Sequence, residues 1–311
     1  MFLLVPKFIL RLVLVSLALW IVLSTAIPQL SSRFHEPQIR DLNFTHTIYP
    51  YNSLTSPTPL PIRDSTIYFV IGHPDDEVMF FSPSLVELAK PKHNNRVRLL
   101  CFSKGDAADV SFGAIRSQEL RHSARIVGLE PQDVVVMDNY KDGMDVKWGP
   151  HDVARSLHEQ IGEAGQSPKT VLITFDEQGV SNHPNHIALY HGCKEYFNTY
   201  VKSRGTSRLY VLKSLNFWEK YSFTLLTNAE LLVDLVSKFF LNTLKINIHI
   251  SFFNSYTGRS LSSIKFYSDL NMLSLSYAAM AYGHYSQMVW FRYGWLMFSR
   301  YLTFNHLIQI H

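Results

Sequence analysis

Two short clusters, far apart in the chain, carry the side chains best suited to hydrolysis: His73-Pro74-Asp75-Asp76-Glu77 and His183-Pro184-Asn185-His186. Breaking an amide near neutral pH calls for a nucleophile better than water and for a partner to the oxyanion that forms. A catalytic zinc ion supplies both, typically held by three His or carboxylate side chains with a fourth position open to water. His73, Asp76 and His186 fit that requirement, with Zn2+ the expected ion and another divalent metal admissible. Asp75, beside a ligand but directed elsewhere, is then the candidate base. His183, about one turn before His186, is the candidate oxyanion partner. Taken singly, each cluster also has a plain structural explanation, a helix start favoured by carboxylates or a surface loop.

The two become one site only if the fold joins them, and the apolar runs predict that it does. Thr66–Ile71 reads as a strand buried on both faces, ending at Gly72. A helix is expected over 78–90, stopped by Pro91, then a strand over 96–102 and a helix over 114–127 closed by Gly128. Further strands are expected over 133–137, 170–175 and 209–213, with a helix over 152–163. This alternation predicts an α/β, Rossmann-like fold, a mostly parallel sheet with helices on both faces and right-handed crossovers. Ligands bind beyond the carboxyl ends of such strands, where 73–77, 103–106, 138–142 and 176–186 all fall.

Composition narrows the class. The 311 residues are 47% hydrophobic, enough for a sizeable core, and a net charge of +4 without a basic run does not suggest nucleic acid. Cys101 and Cys193 lack the spacing of a thiolate metal site or a disulfide framework. From 8 to 27 the only charge is Arg11, and the stretch matches roughly 30 Å of hydrocarbon. A transmembrane anchor over 1–27 is the leading reading; a signal peptide cleaved at Ser24-Thr25-Ala26 is the other. Residues 28–65, rich in Pro, Ser and Thr, read as a linker containing the sequon Asn43-Phe44-Thr45, with the folded domain over 66–311.

Gly72-His73-Pro74-Asp75-Asp76-Glu77, followed by Met79-Phe80-Phe81 and Pro83, resembles the signature of the PIG-L and LmbE-like deacetylases. Ser103-Lys104-Gly105-Asp106, Arg116 with Glu119-Leu120, and Thr174-Phe175-Asp176 through Gly179-Val180-Ser181 to His183 and His186 continue it in order. The resemblance implies His73, Asp76 and His186 as metal ligands, Asp75 as base and His183 as oxyanion partner. It further implies Arg116 and Asp142 as substrate contacts and Asp176 as the group that orients His183. Gly283-His284-Tyr285-Ser286-Gln287 and Trp290-Phe291-Arg292 resemble the eukaryotic, membrane-associated branch. That branch acts on a lipid-linked sugar, N-acetylglucosaminyl-phosphatidylinositol, at the endoplasmic reticulum membrane, as single-pass proteins whose catalytic domain is cytoplasmic. A deacetylase of another amino-sugar conjugate and a non-catalytic membrane-anchored binding module remain alternatives.

Asn182 stands where the pattern leads one to expect glycine, and Ser111-Phe112-Gly113 replaces a more glycine-rich approach to Arg116. The aromatic stretch 288–301 suits either a membrane interface or core packing. Ile246, Ile248, Ile250 and Phe252 alternate with polar residues as in a half-buried strand. Glu77 and His284 have no role beyond, for Glu77, favouring a helix start.

Overall fold

The computed structural model describes residues 7–30, 61–107, 109–162, 169–201, 207–244 and 262–311. The linker stretch 31–60 with its Asn43 sequon, and the strand expected around 246–252, lie outside the described residues. The first helix, α1, runs Lys7–Leu30 and is long and apolar enough to cross a membrane. It does not stop at Pro28 as expected. A π-helical turn over Val22–Ala26 lets the Ile27 amide reach the Val22 carbonyl, giving the room a proline ring needs inside a helix.

The domain then alternates as the sequence implies: β1 Thr66–Ile71, α2 Asp76–Met79, α3 Ser82–Leu88, β2 Arg96–Cys101, α4 Phe112–Ile126, β3 Val134–Val136, α5 Pro150–Ile161, β4 Thr170–Phe175, α6 Pro184–Thr199 and β5 Ser207–Leu212. The helix expected over 78–90 is two helices. Pro83 opens the second, and Phe80 and Phe81 turn the chain between them so that both rings enter the core. After β5 come α7 Phe217–Lys220, α8 Thr224–Leu244, β6 Ser263–Tyr267, α9 Leu270–Ala278, α10 Trp290–Phe298 and β7 Phe304–Gln309.

Among the described residues, seven strands form one sheet in the order β3-β2-β1-β4-β5-β7-β6. The first five are parallel, in register from Thr66 opposite Arg96 and Thr170, and their Val, Ile, Leu and Phe side chains are almost all buried. β7 pairs antiparallel with β5 and with β6, an edge that the alternating pattern does not announce. From β1 the chain steps outward to β2 and later returns to β4 on its other side. Right-handed crossovers in opposite directions place their helices on opposite faces, so a crevice opens at the carboxyl ends of β1 and β4.

Candidate metal centre and active site

β1 delivers the first half of the site. Gly72 passes so close to the start of α6 that a Cβ there would sit 3.0 Å from His186 Cδ2 and 3.3 Å from Asp76 Oδ2, so a side chain would press on two of the site's groups. The Asp76 carboxylate folds back to accept the Gly72 and His73 amides through Oδ2, both at 2.9 Å. That same oxygen lies 3.6 Å from His73 Nδ1 and 3.2 Å from His186 Nε2, and the two nitrogens are 3.3 Å apart. Donors at about 2.0–2.1 Å from a tetrahedral ion stand roughly 3.3 Å from each other. The triangle therefore has the size of one face of a zinc coordination shell. His73, His183 and His186 form a looser group, with nitrogens within 4.8 Å of one another. The tighter set, with Asp76 in place of His183, fits the ion better.

The tautomers suit ligation. Phe175, the last residue of β4, stacks flat on the His186 ring at 3.8 Å, and His186 Nδ1 donates to the Gly179 carbonyl at 3.0 Å, leaving Nε2 for the triangle. His73 Nε2 meets Asp142 Oδ1 at 2.9 Å and Asn185 Oδ1 at 3.2 Å, which turns Nδ1 inward. Burial alone lowers a histidine, yet His73 is pushed up to about 10 because Asp142 and Asp76 outweigh burial. Burial likewise opposes ionisation of Asp76, and His186 and His73 hold it well below the usual carboxylate range. This pocket is built to hold positive charge.

Two candidates have partners the sequence does not indicate. Asp142 engages His73 through Oδ1. Asp176 does not reach His183: its carboxylate accepts from the Ser214 amide at 2.7 Å, the Ser214 hydroxyl at 2.6 Å and the Gln178 and Gly179 amides. It thereby pins a turn in which Gly179, Val180, Ser181 and Asn182 all have positive φ, from 43° to 71°. Such a run is costly for Val180, while asparagine at 182 is the commonest stand-in for glycine in that region. His183 follows, half-buried, with Nδ1 unpartnered and its ring 4.6 Å from that of His186. Burial, with His186 and His73 alongside, pushes His183 down to about 4, so the ring is neutral at physiological pH and donates from one nitrogen only.

Asp75 caps α2 with φ at 133°, a conformation rarely adopted by a side-chain-bearing residue. Glu77 Oε2 holds its amide at 3.1 Å. The other Glu77 oxygen accepts from Ser123 at 2.6 Å and meets His284 Nε2, with Glu77 and His284 both fully buried. His284 Nδ1 in turn accepts from Gln287 Nε2 at 3.0 Å. From α10, Arg292 donates to Asp75 Oδ2 at 2.6 Å, and Arg116 lies 3.6 Å from the same oxygen. Burial pushes the Asp75 carboxyl up, against the pull of the two arginines. Arg116 also donates to the carbonyls of Gly105 and Pro74 and to Gln287, so in this state it clamps the His73–Glu77 segment. A side chain at Gly105, where φ is +68°, would displace that guanidinium. Glu77, Asn185, His284, Gln287 and Arg292 are the site residues that sequence reasoning left without a role. Adjacency to ligands marked Glu77 and Asn185, and the resemblance of 283–287 and 290–292 to the eukaryotic branch marked His284, Gln287 and Arg292 without giving them a role.

Residues 68–197 match the PIG-L family, described as GlcNAc-PI de-N-acetylase. A probable N-acetylglucosaminyl-phosphatidylinositol de-N-acetylase of Schizosaccharomyces pombe is 36% identical over 244 residues, covering 78% of this chain and 86% of the relative. The chain belongs to the PIG-L family. The N-acetylglucosaminyl-phosphatidylinositol de-N-acetylase of Bos taurus is 32% identical over 250 residues, 80% of this chain and 85% of that one. Among solved structures, N,N'-diacetylchitobiose deacetylase from Pyrococcus horikoshii aligns with 75% of each chain at 16% identity and a TM-score of 0.44. As a PIG-L protein the molecule is a metal-dependent deacetylase, and His73, His183 and His186 form a cluster whose spacing could hold a metal ion.

Proposed function

We propose that the protein hydrolyses the acetamide of N-acetylglucosaminyl-phosphatidylinositol to glucosaminyl-phosphatidylinositol and acetate, a step of glycosylphosphatidylinositol-anchor biosynthesis. We place it at the endoplasmic reticulum membrane, with the catalytic domain on the cytoplasmic side. The observation that carries the reading is the triangle of His73 Nδ1, Asp76 Oδ2 and His186 Nε2 beside Asp75, in a chain so similar to relatives of that name.

His73, Asp76 and His186 would hold a divalent ion, Zn2+ by the chemistry of the donor set, which when bound would supply Lewis-acid polarisation of the acetamide carbonyl and a more acidic water. Asp75 takes the proton of the attacking water, and the new C–O bond leaves charge on the carbonyl oxygen, to which the His183 ring donates. The proton held by Asp75 passes to the nitrogen as the C–N bond breaks, so that the amine and acetate leave. Asp142 and Asn185 keep the His73 ring turned inward, and Asp176 keeps the His183 and His186 turn in place. Arg292 and Arg116 hold the Asp75 carboxylate in one orientation and offer guanidinium donors to the substrate phosphate.

Acetate release by the full-length protein in vesicles tests this. The lipid-linked sugar is expected to turn over about a hundredfold faster than free N-acetylglucosamine, because remote binding energy is used at the reacting centre. Chelation should abolish the activity and Zn2+ restore it. Equal rates on the two substrates would set aside the lipid specificity.

A further inference from the structure

The anchor does not hang from the domain on a tether; half of it is built in. Residues 7–15 are exposed throughout, but from Ser16 onward one face of α1 docks on the domain. Ser16 hydrogen-bonds Thr224 at 2.9 Å, Asn228 donates to the Ser16 carbonyl at 2.8 Å, Trp20 is fully buried, and Thr25 accepts from the Leu270 amide at 2.9 Å.

Among the described residues, the free part of α1 is therefore too short to cross hydrocarbon. Nine residues rise about 14 Å, less than half of a core about 30 Å thick. To lie in a bilayer over its apolar length, α1 must bring its docking partners on α8 with it. What surrounds them is dressed for that. Immediately before α8, α7 presents Phe217 and Trp218, the latter 81% exposed. At the α7 to α8 junction, the Phe223 amide donates to the Phe298 carbonyl at 3.2 Å, which joins that corner to the end of α10. The outer face of α10 exposes Trp290, at 85%, with Phe291, Tyr293 and Met297, while its inner face sends Arg292 to Asp75. An apolar surface continuous with a membrane helix, and rich in exposed tryptophan and tyrosine, has the composition of an interfacial collar.

We infer that α7 and α10 form a collar seated at the lipid headgroup boundary, with the active site opening directly behind α10. The bilayer is the occupant of this face. The inference deepens the proposed function, in that a sugar carried on a lipid headgroup meets Asp75 without leaving the membrane.

Depth can be read independently of activity. Cys101 and Cys193 are buried, so nitroxide labels can be placed singly at Trp218→Cys and Trp290→Cys, with Arg155→Cys on exposed α5 as a control, in the full chain reconstituted into phosphatidylcholine and phosphatidylinositol vesicles. Labels at 218 and 290 are expected to be relaxed by oxygen and shielded from a water-soluble nickel chelate, the reverse of 155. Nickel access at either position equal to that at 155 overturns the inference, whatever the enzyme's substrate proves to be. As a kinetic arm, the double variant Trp218→Ser, Trp290→Ser is expected to raise KM for the lipid-linked sugar about tenfold, with kcat and metal content unchanged. An unchanged KM counts equally against the collar.

Discussion

The parallel half of the sheet and the antiparallel edge build the same active site by different means. Beyond strands β1 and β4, two short segments, His73 to Asp76 and His183 to His186, supply the donors of the proposed metal site. The edge contributes from a distance. β7 and the segment before it fold His284, Gln287 and Arg292 back over α2, so that a wall from the end of the chain closes on Asp75. The first region carries the proposed metal donors; the second holds the Asp75 carboxylate through Arg292. Substitutions in the two should therefore separate metal binding from turnover.

The largest effect is expected at the triangle. His186→Ala removes one of three donors and should lower both bound metal and acetate release by about a thousandfold or more, followed by metal analysis beside the kinetic assay. Asp142→Asn, one step out, should weaken metal affinity by roughly 10–100-fold, with activity recovered at excess Zn2+. A metal content near one per chain at limiting Zn2+ would return Asp142 to the substrate side. Arg292→Met belongs to the wall. It should cut kcat by about tenfold while leaving metal content intact, and metal loss in this variant would erase the distinction between the two regions.

Smallest in kinetic terms is Glu87→Gln, remote from both regions. Glu87 is fully buried with Lys90, Lys92 and His93 around it, and against the opposing effect of burial the charge of Lys90, the hydrogen bond to His93 and the charge of Lys92 hold it down to about 2. A depressed folded-state carboxyl stabilises the fold above its ordinary value near 4.5 and loses that contribution as pH falls toward 2. At pH 7 the variant should lose about 3 kcal/mol of stability with kcat unchanged, and the gap between variant and native protein should narrow on acidification below about 4.5. Thermal unfolding across pH reads both.

The same contrast decides how much the sequence discloses. The parallel strands were legible because burial on both faces writes an uninterrupted β-branched run, and a ligand at a strand's carboxyl end follows from the topology alone. Thr170–Phe175 and Thr66–Ile71 form as expected. Helix 78–90 was not legible as two because Pro83 is compatible with a first turn as well as with a break. Asp176 and Asp142 carry the right residue types in the right loops. Which partner each takes depends on whether Ser214 or His73 is nearer, a matter of loop path that no local pattern encodes. Glu77 lacked a role because its partners, Ser123 and His284, lie in α4 and near the chain's end. The aromatic stretch 288–301 is divided: Trp295 and Tyr301 are buried in the core, whereas Trp290 and Phe291 face outward.

The central claim is a division of labour between a metal triangle and the base beside it, and Asp75→Asn tests it most directly. The substitution keeps size and hydrogen-bonding shape while removing the proton acceptor. Measured by acetate release from N-acetylglucosaminyl-phosphatidylinositol together with metal content, it is predicted to retain the metal and lose roughly 10²–10⁴-fold in kcat. Full turnover with the metal retained would contradict the account.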